Sequence, residues 1–178
     1  MRHFKTDMNP LKDLYKKHAT DSDIWLKKSK QLFDSAELVW NQTSIEPTPS
    51  GGEFINHKLG HPAQMLMGLS LECLIKGYIL SKNPDFINDG RLVKYNGDKL
   101  DTHNLVRLFE IADIIVDEHN KALLNRLTEN VKWLAKYSIP LSYPQKEIDI
   151  MNFVVDNTDF GQFSYLYNLI LDRLKTTA

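Results

Sequence analysis

Apolar residues recur at helical spacing along almost the whole chain, and that period predicts a succession of helices. After a short opening helix over 10–18, Asp21 or Ser22 caps a second one running to Gln42. On it Trp25, the alkyl stem of Lys28, Leu32, Ala36, Val39 and Trp40 share a face. Residues 43–60 contain Pro47, Pro49, Gly51 and Gly52, a composition that reads as a loop. A third helix opens with Pro62, which the first helical turn tolerates, and continues through Met65, Leu69, Leu71, Leu74 and Leu80 to Lys82. It is apolar nearly all round, the mark of a central helix enclosed by neighbours. Its one polar strip is Gln64, Gly68, Glu72 and Lys76, each four residues from the last. Glu72 and Lys76 stand in the favourable Glu-before-Lys order for an intrahelical pair.

Residues 83–101 form a second long connection, and Asn96-Gly97 within it predicts a small β-ribbon over 91–101. Thr102 then caps a fourth helix that turns Leu105, Leu108, Phe109, Ala112 and Ile115 or Val116 inward. A fifth helix covers 118–136, with Leu123, Leu124, Leu127, Val131 and Leu134 apolar, and Pro140 and Pro144 break the chain after it. A short helix over 147–155 follows. Thr158 caps the last, whose apolar face is Phe163, Leu166, Tyr167, Ile170 and Leu174. With no internal repeat and no second core, the expectation over 1–178 is one all-α domain, an antiparallel up-and-down helical bundle.

Composition narrows the class. At 178 residues, 42% hydrophobic and 25% charged, the chain is globular and can build a full core. A lone cysteine, Cys73, excludes a disulfide scaffold. Lys and Arg total 22 against 23 for Asp and Glu. That balance argues against coating nucleic acid by bulk charge and leaves room for a local basic patch. The first nine residues include basic ones with no apolar run behind them, so no secretory signal is read. The longest uncharged stretch, 62–71, falls short of the roughly 20 apolar residues of a membrane span. The expected location is the cytoplasm, without a membrane.

Two segments carry the most specific signal. Leu69 through Ile79 (LSLECLIKGYI) is an apolar helix with one Glu and one Lys four apart, and Asp101 through Ala112 (DTHNLVRLFEIA) is a helix start with a histidine beside the cap. In this order the pair resembles the E-x-x-x-K and T-H-x-L segments of the HEPN superfamily of helical bundles. A third stretch, Val131 through Pro140 (VKWLAKYSIP), is similar to the W-x-x-R-Y-P stretch of some members, with Lys136 where Arg is usual. The resemblance covers 62–140. It implies a helical bundle that commonly pairs into homodimers, and in many members a metal-independent RNase of toxin–antitoxin or phage-defence systems. The nuclease motif of those members is an Arg followed, after four to six residues, by a His. None of His3, His18, His57, His61, His103 or His119 has an Arg at that distance before it.

The candidate ligand-binding residues are Glu72, Lys76, His103, Arg107, Lys132, Lys136 and Tyr137. Glu72 and Lys76 either line a phosphate- or nucleotide-binding pocket or form a buried structural pair that needs further partners. His103 either contacts an anion or acts as an acid–base, given an unperturbed pKa of about 6.5, or else bonds a neighbouring loop. Lys132, Lys136 and Tyr137 could stack and bind RNA, although lysines near a helix C-terminus also answer the dipole. Lys27, Lys28 and Lys30, flanked by Asp21, Asp23 and Asp34, read as a solvated face. Trp25, Trp40 and Trp133 fit the core. His57 and His61 have metal-ligand spacing but no third ligand near in sequence, so neither a metal nor a cofactor is expected.

The leading expectation is a non-catalytic HEPN-like binding or regulatory module that recognises a nucleotide, an RNA or a partner protein, as a homodimer. The alternatives are an RNase whose degenerate site uses His103 and Arg107, and a ligand-free assembly module.

Overall fold

The computed structural model describes residues 9–42, 44–47, 53–56, 59–89, 91–94, 97–134 and 155–176. Among them are six α-helices: α1 (Asn9–Thr20), α2 (Ser22–Trp40), α3 (Gly60–Lys82), α4 (Leu105–Ile111), α5 (Glu118–Glu129) and α6 (Asp159–Lys175). Two antiparallel ribbons join them, β1 (Ser44–Pro47) with β2 (Glu53–Asn56) and β3 (Ile87–Asn88) with β4 (Arg91–Leu92). The fold is all-α.

α3 is the axis of the core, with α1, α2, α4, α5 and α6 all packed on it. Met67, Leu71, Leu74, Ile75 and Leu80 are wholly buried, and so is Gln64 in the polar strip. By length and composition α3 could cross a membrane, longer than the uncharged run in the sequence suggests, yet 67% of its most apolar window is buried inside the protein.

Small residues set the α2–α3 contact. Ser29 and Ser70 exchange hydrogen bonds: the Ser29 hydroxyl donates to the Ser70 carbonyl at 2.8 Å, and the Ser70 hydroxyl to the Ser29 carbonyl at 2.9 Å. One helical stretch away, a Cβ on Gly77 would lie 2.4 Å from Trp25 Cβ. Gly77 opposite Trp25 and Ser70 opposite Ser29 make the two helices antiparallel. The inward face of α2 is therefore centred on Ser29 and Ala36, and Lys28 is exposed, because a buried hydroxyl bonded to a backbone carbonyl costs less than a buried ammonium. Trp25 turns its indole N–H to the Ala19 carbonyl at 2.7 Å and so closes the α1–α2 corner.

Several boundaries differ from the sequence expectation for local reasons. The ribbon lies at 87–92 instead of turning at Asn96-Gly97: Asn88 pairs with Arg91, and Asp89 takes the left-handed conformation at φ 50°. The proline- and glycine-bearing 43–60 connection holds a second ribbon, β1–β2, where a plain loop was expected. Asn104, not Thr102, caps α4, accepting the Arg107 N–H at 3.0 Å, while Thr102 Oγ1 accepts the Asn104 N–H one step earlier. α4 stops at Ile111 in a Schellman turn, with Asp113 left-handed at φ 53° and the Ile114 N–H on the Phe109 carbonyl. Ile115 consequently leaves the apolar face and is 95% exposed. α5 ends at Glu129 in a π-helical turn over Asn130–Leu134. At the start of α6, Thr158 is the N-cap residue as expected but its side chain makes no capping bond; its N–H and its hydroxyl both donate to the Asp156 carboxylate. Those bonds hold the Asp156 carboxyl below the usual carboxylate range. The 147–155 helix, apart from Val155, and the Trp133 side chain lie outside the described residues.

Gly68 provides a second close approach, where a Cβ would sit 2.6 Å from Val131 Cγ2 and 3.1 Å from the Leu127 carbonyl. Alanine at an unhindered helical glycine should stabilise by up to about 1 kcal/mol. Gly77→Ala and Gly68→Ala should instead lower stability by about 1–3 kcal/mol, the range for overpacked cores, as read by urea denaturation. An increase in either variant would show that α2 or α5 does not sit against α3 as described.

Candidate functional site

The polar strip of α3 meets two separate partners. At its C-terminal end Lys76 Nζ donates to Glu72 Oε1 at 2.7 Å, and the Nδ1 of His103 lies 2.9 Å from Glu72 Oε2. Glu72 and Lys76 side chains are 11% exposed, whereas His103 is 53% exposed. Because a carboxylate oxygen accepts, His103 Nδ1 carries the proton and its Nε2 is left without a partner among the described residues. The residues that sequence spacing singled out from two distant segments thus form one cluster: a buried carboxylate, a buried ammonium and an imidazole at the surface. His103 lies one residue before Asn104, the α4 N-cap, and so outside that helix.

The other candidates do not join this cluster. Arg107 pairs with Asp98 and, at 2.8 Å, with Glu110, and both carboxylates hold its guanidinium further in the charged form. Lys132 lies 3.1 Å from Glu129. Lys136 and Tyr137 are outside the described residues, as is His57. Cys73, beside Glu72 in sequence, has its thiol pushed up by burial, which opposes thiolate chemistry. No group of three His, Cys, Asp or Glu side chains capable of holding a metal occurs among the described residues.

A second polar network, at the N-terminal end of the strip, was not anticipated. Asp159 is fully buried; its carboxylate takes the Arg126 guanidinium, Gln64 Nε2 at 2.7 Å and the Asp156 N–H at 3.0 Å. Asn130 donates to Gln64 Oε1 at 2.8 Å and to the Arg126 carbonyl at 2.9 Å. A carbonyl only accepts, so that bond fixes the orientation of the Asn130 amide and leaves its oxygen facing His61 Nδ1 at 3.1 Å. His61 is thereby the proton donor, and the chain His61–Asn130–Gln64–Asp159–Arg126 links α3, the π turn, α5 and α6. Gln64 was visible in the polar strip; Asp159 and Arg126, 33 residues apart, carried no spacing signal.

Comparison with protein-family models, with curated proteins and with solved structures finds no match to this chain.

Removing one member of a buried ion pair costs about 3–5 kcal/mol, because the other charge is stranded. Lys76→Met should therefore destabilise strongly in urea denaturation. His103→Ala, at an exposed position, should cost under about 1 kcal/mol. Equal losses in the two variants would mean that His103 is as much a core group as Lys76.

Proposed function

We propose that this chain is a HEPN-like helical module that acts in the cytoplasm by binding a protein partner, and that it does so as a homodimer without cleaving RNA. The family part of the reading is supported by contact between the two segments that carry the resemblance: Glu72 of the E-x-x-x-K helix and His103 of the T-H-x-L segment hydrogen-bond.

The functional part rests on one observation. Each candidate cation in the described residues already has a carboxylate of this chain: Lys76 has Glu72, Arg107 has Asp98 and Glu110, and Lys132 has Glu129. A nucleotide or RNA phosphate would have to displace those carboxylates, and displacing the buried Glu72 would strand its charge. Apolar side chains, by contrast, stand ready on the surface, with Leu11 70%, Leu14 47% and Tyr15 41% exposed on α1. Such groups favour a protein surface over a phosphate.

The RNase alternative keeps one point in its favour. His103 is oriented through Nδ1 by a carboxylate, the arrangement that leaves Nε2 for acid–base work. Its proposed companion Arg107 is occupied by Asp98 and Glu110.

Incubation with transfer RNA and total RNA in the presence of EDTA should leave the RNA intact. Millimolar ATP or GTP should leave the melting temperature unchanged, since a ligand that binds the native state raises it. Light scattering should show a concentration-dependent dimer. RNA cleavage that His103→Ala abolishes would overturn the reading in favour of the nuclease, and nucleotide-dependent stabilisation would favour the phosphate pocket.

A further inference from the structure

Four histidines lie among the described residues: His18, His61, His103 and His119. His18 and His119 are exposed, and neither ring makes a hydrogen bond among those residues. His61 is half-buried and gives its Nδ1 proton to the Asn130 amide oxygen at 3.1 Å. Of the four, only His103 sets Nδ1 on a carboxylate, Glu72 Oε2 at 2.9 Å, while its side chain stays 53% exposed.

That carboxylate cannot swing away from the ring. Its other oxygen is bonded to Lys76 Nζ at 2.7 Å, and the Glu72 and Lys76 side chains are both 11% exposed. With the proton held at Nδ1, the free lone pair of the imidazole is at Nε2. An electrophile that bonds to Nε2 draws positive charge onto the ring, and this charge develops 2.9 Å from a fixed, poorly hydrated carboxylate. One partner thus orients the nucleophile and stabilises the result of its attack. His18 and His119 have neither advantage.

We propose that His103 is a phosphoryl-acceptor site, taking a phosphoryl group on Nε2 from an acyl phosphate. The Nε2 lone pair attacks phosphorus. The N–P bond forms as the P–O bond to the acyl group breaks, and the carboxylate leaves with the electron pair. The Nδ1 proton stays on Glu72, so no hydrogen bond of the buried cluster is lost. No carboxylate has to be displaced either, in contrast to the binding of a free phosphate at Lys76 or Arg107. Exposure selects the class of electrophile: an acyl-imidazole open to water hydrolyses quickly, whereas an N-phosphoryl imidazole persists and keeps its charged oxygens hydrated. The modification places roughly two negative charges on the surface just before α4 and leaves the α3 core as it is. A charge change of this kind is a signal that a protein partner reads, and the inference goes beyond the protein-binding reading without depending on it.

The test uses the full chain with acetyl phosphate and, separately, with phosphoramidate, which has no acyl group to transfer and loses ammonia as its P–N bond breaks. Mass spectrometry should show one added phosphoryl group that acid removes and alkali spares. Fragmentation should place it on His103, at a rate about tenfold or more above His18 and His119 of the same chain. Heteronuclear spectra of the imidazole nitrogens should put the phosphorus on Nε2. His103→Gln should abolish this labelling, and Glu72→Gln should bring His103 down to the rate of His18 while leaving His18 unchanged. Glu72→Gln strands Lys76, so its melting curve is taken first; should that variant be unfolded, the comparison among histidines of the native chain decides the matter. Equal labelling of the exposed histidines, phosphorus on Nδ1, acetylation of His103 in place of phosphorylation, or no labelling would overturn the inference.

Discussion

A helix buried along most of its surface must satisfy internally the polar groups on its buried faces, and α3 carries several. Burial of Gln64, Glu72 and Lys76 in one helix removes water as a partner and leaves the rest of the chain to supply bonds. At one end the answer is an ion pair within the helix plus the imidazole of His103. At the other it is Asp159, reached from α6, with Arg126 of α5 neutralising it. His103 and the Asp159–Arg126 pair come from segments far along the sequence, so satisfying the polar strip also ties α5, α6 and the start of α4 to α3. The two glycines serve the same arrangement: Gly68 and Gly77 remove the Cβ atoms that would keep Leu127, Val131 and Trp25 at a distance.

How much of this was legible depended on whether the deciding signal was periodic. Six of the seven expected helices and the central position of α3 follow from apolar spacing, which a buried helix displays whatever its neighbours, and the seventh, over 147–155, lies outside the described residues apart from Val155. The strip Gln64–Gly68–Glu72–Lys76 was legible for the same reason, and the Glu72–Lys76 bond follows from a four-residue separation that geometry imposes. His103 could be suspected from its place beside a capping sequence. Asp159 and Arg126 could not, because a surface and a buried carboxylate look alike in sequence and their pairing spans two helices. Thr102 and Asn104 are both competent caps two residues apart, and only the register of Leu105, pinned by its N–H on Thr128 Oγ1, chooses between them. The ribbon illustrates the same limit, since Asp89-Gly90 and Asn96-Gly97 are equally good turn pairs until strand pairing selects one.

Electrostatics link the fold to the functional reading. The near-zero net charge of the sequence is not an average over large patches at the candidate residues; it is realised pair by pair. Cations that looked available as letters in a sequence are spent on neighbours once the chain folds. The same spacing that made Glu72 and Lys76 conspicuous makes them partners of one another. A conspicuous buried pair is thus better evidence for how the helix is accommodated than for what the protein binds, and His103, exposed on one side and tethered on the other, is the member of the cluster that faces outward.

An apolar groove between α2 and α6, lined by Leu26, Phe33, Tyr167 and Leu171, follows from the same accommodation of α3. α2 is drawn tight against it by Ser29, Ser70 and Gly77, residues too small to hold the helices apart. α6 is tethered to it from its first turn by Asp159, and the rings of Phe33, Phe160, Phe163 and Tyr167 fill the space between α2 and α6 near that anchored end. Toward the C-terminus of α6 the side chains at the α2 face shrink from rings to Leu171 and then to Lys175, and the filling runs out. The groove's lining includes Phe33 and Tyr167 of the same ring stack, so the opening is a consequence of how α2 and α6 are packed on α3.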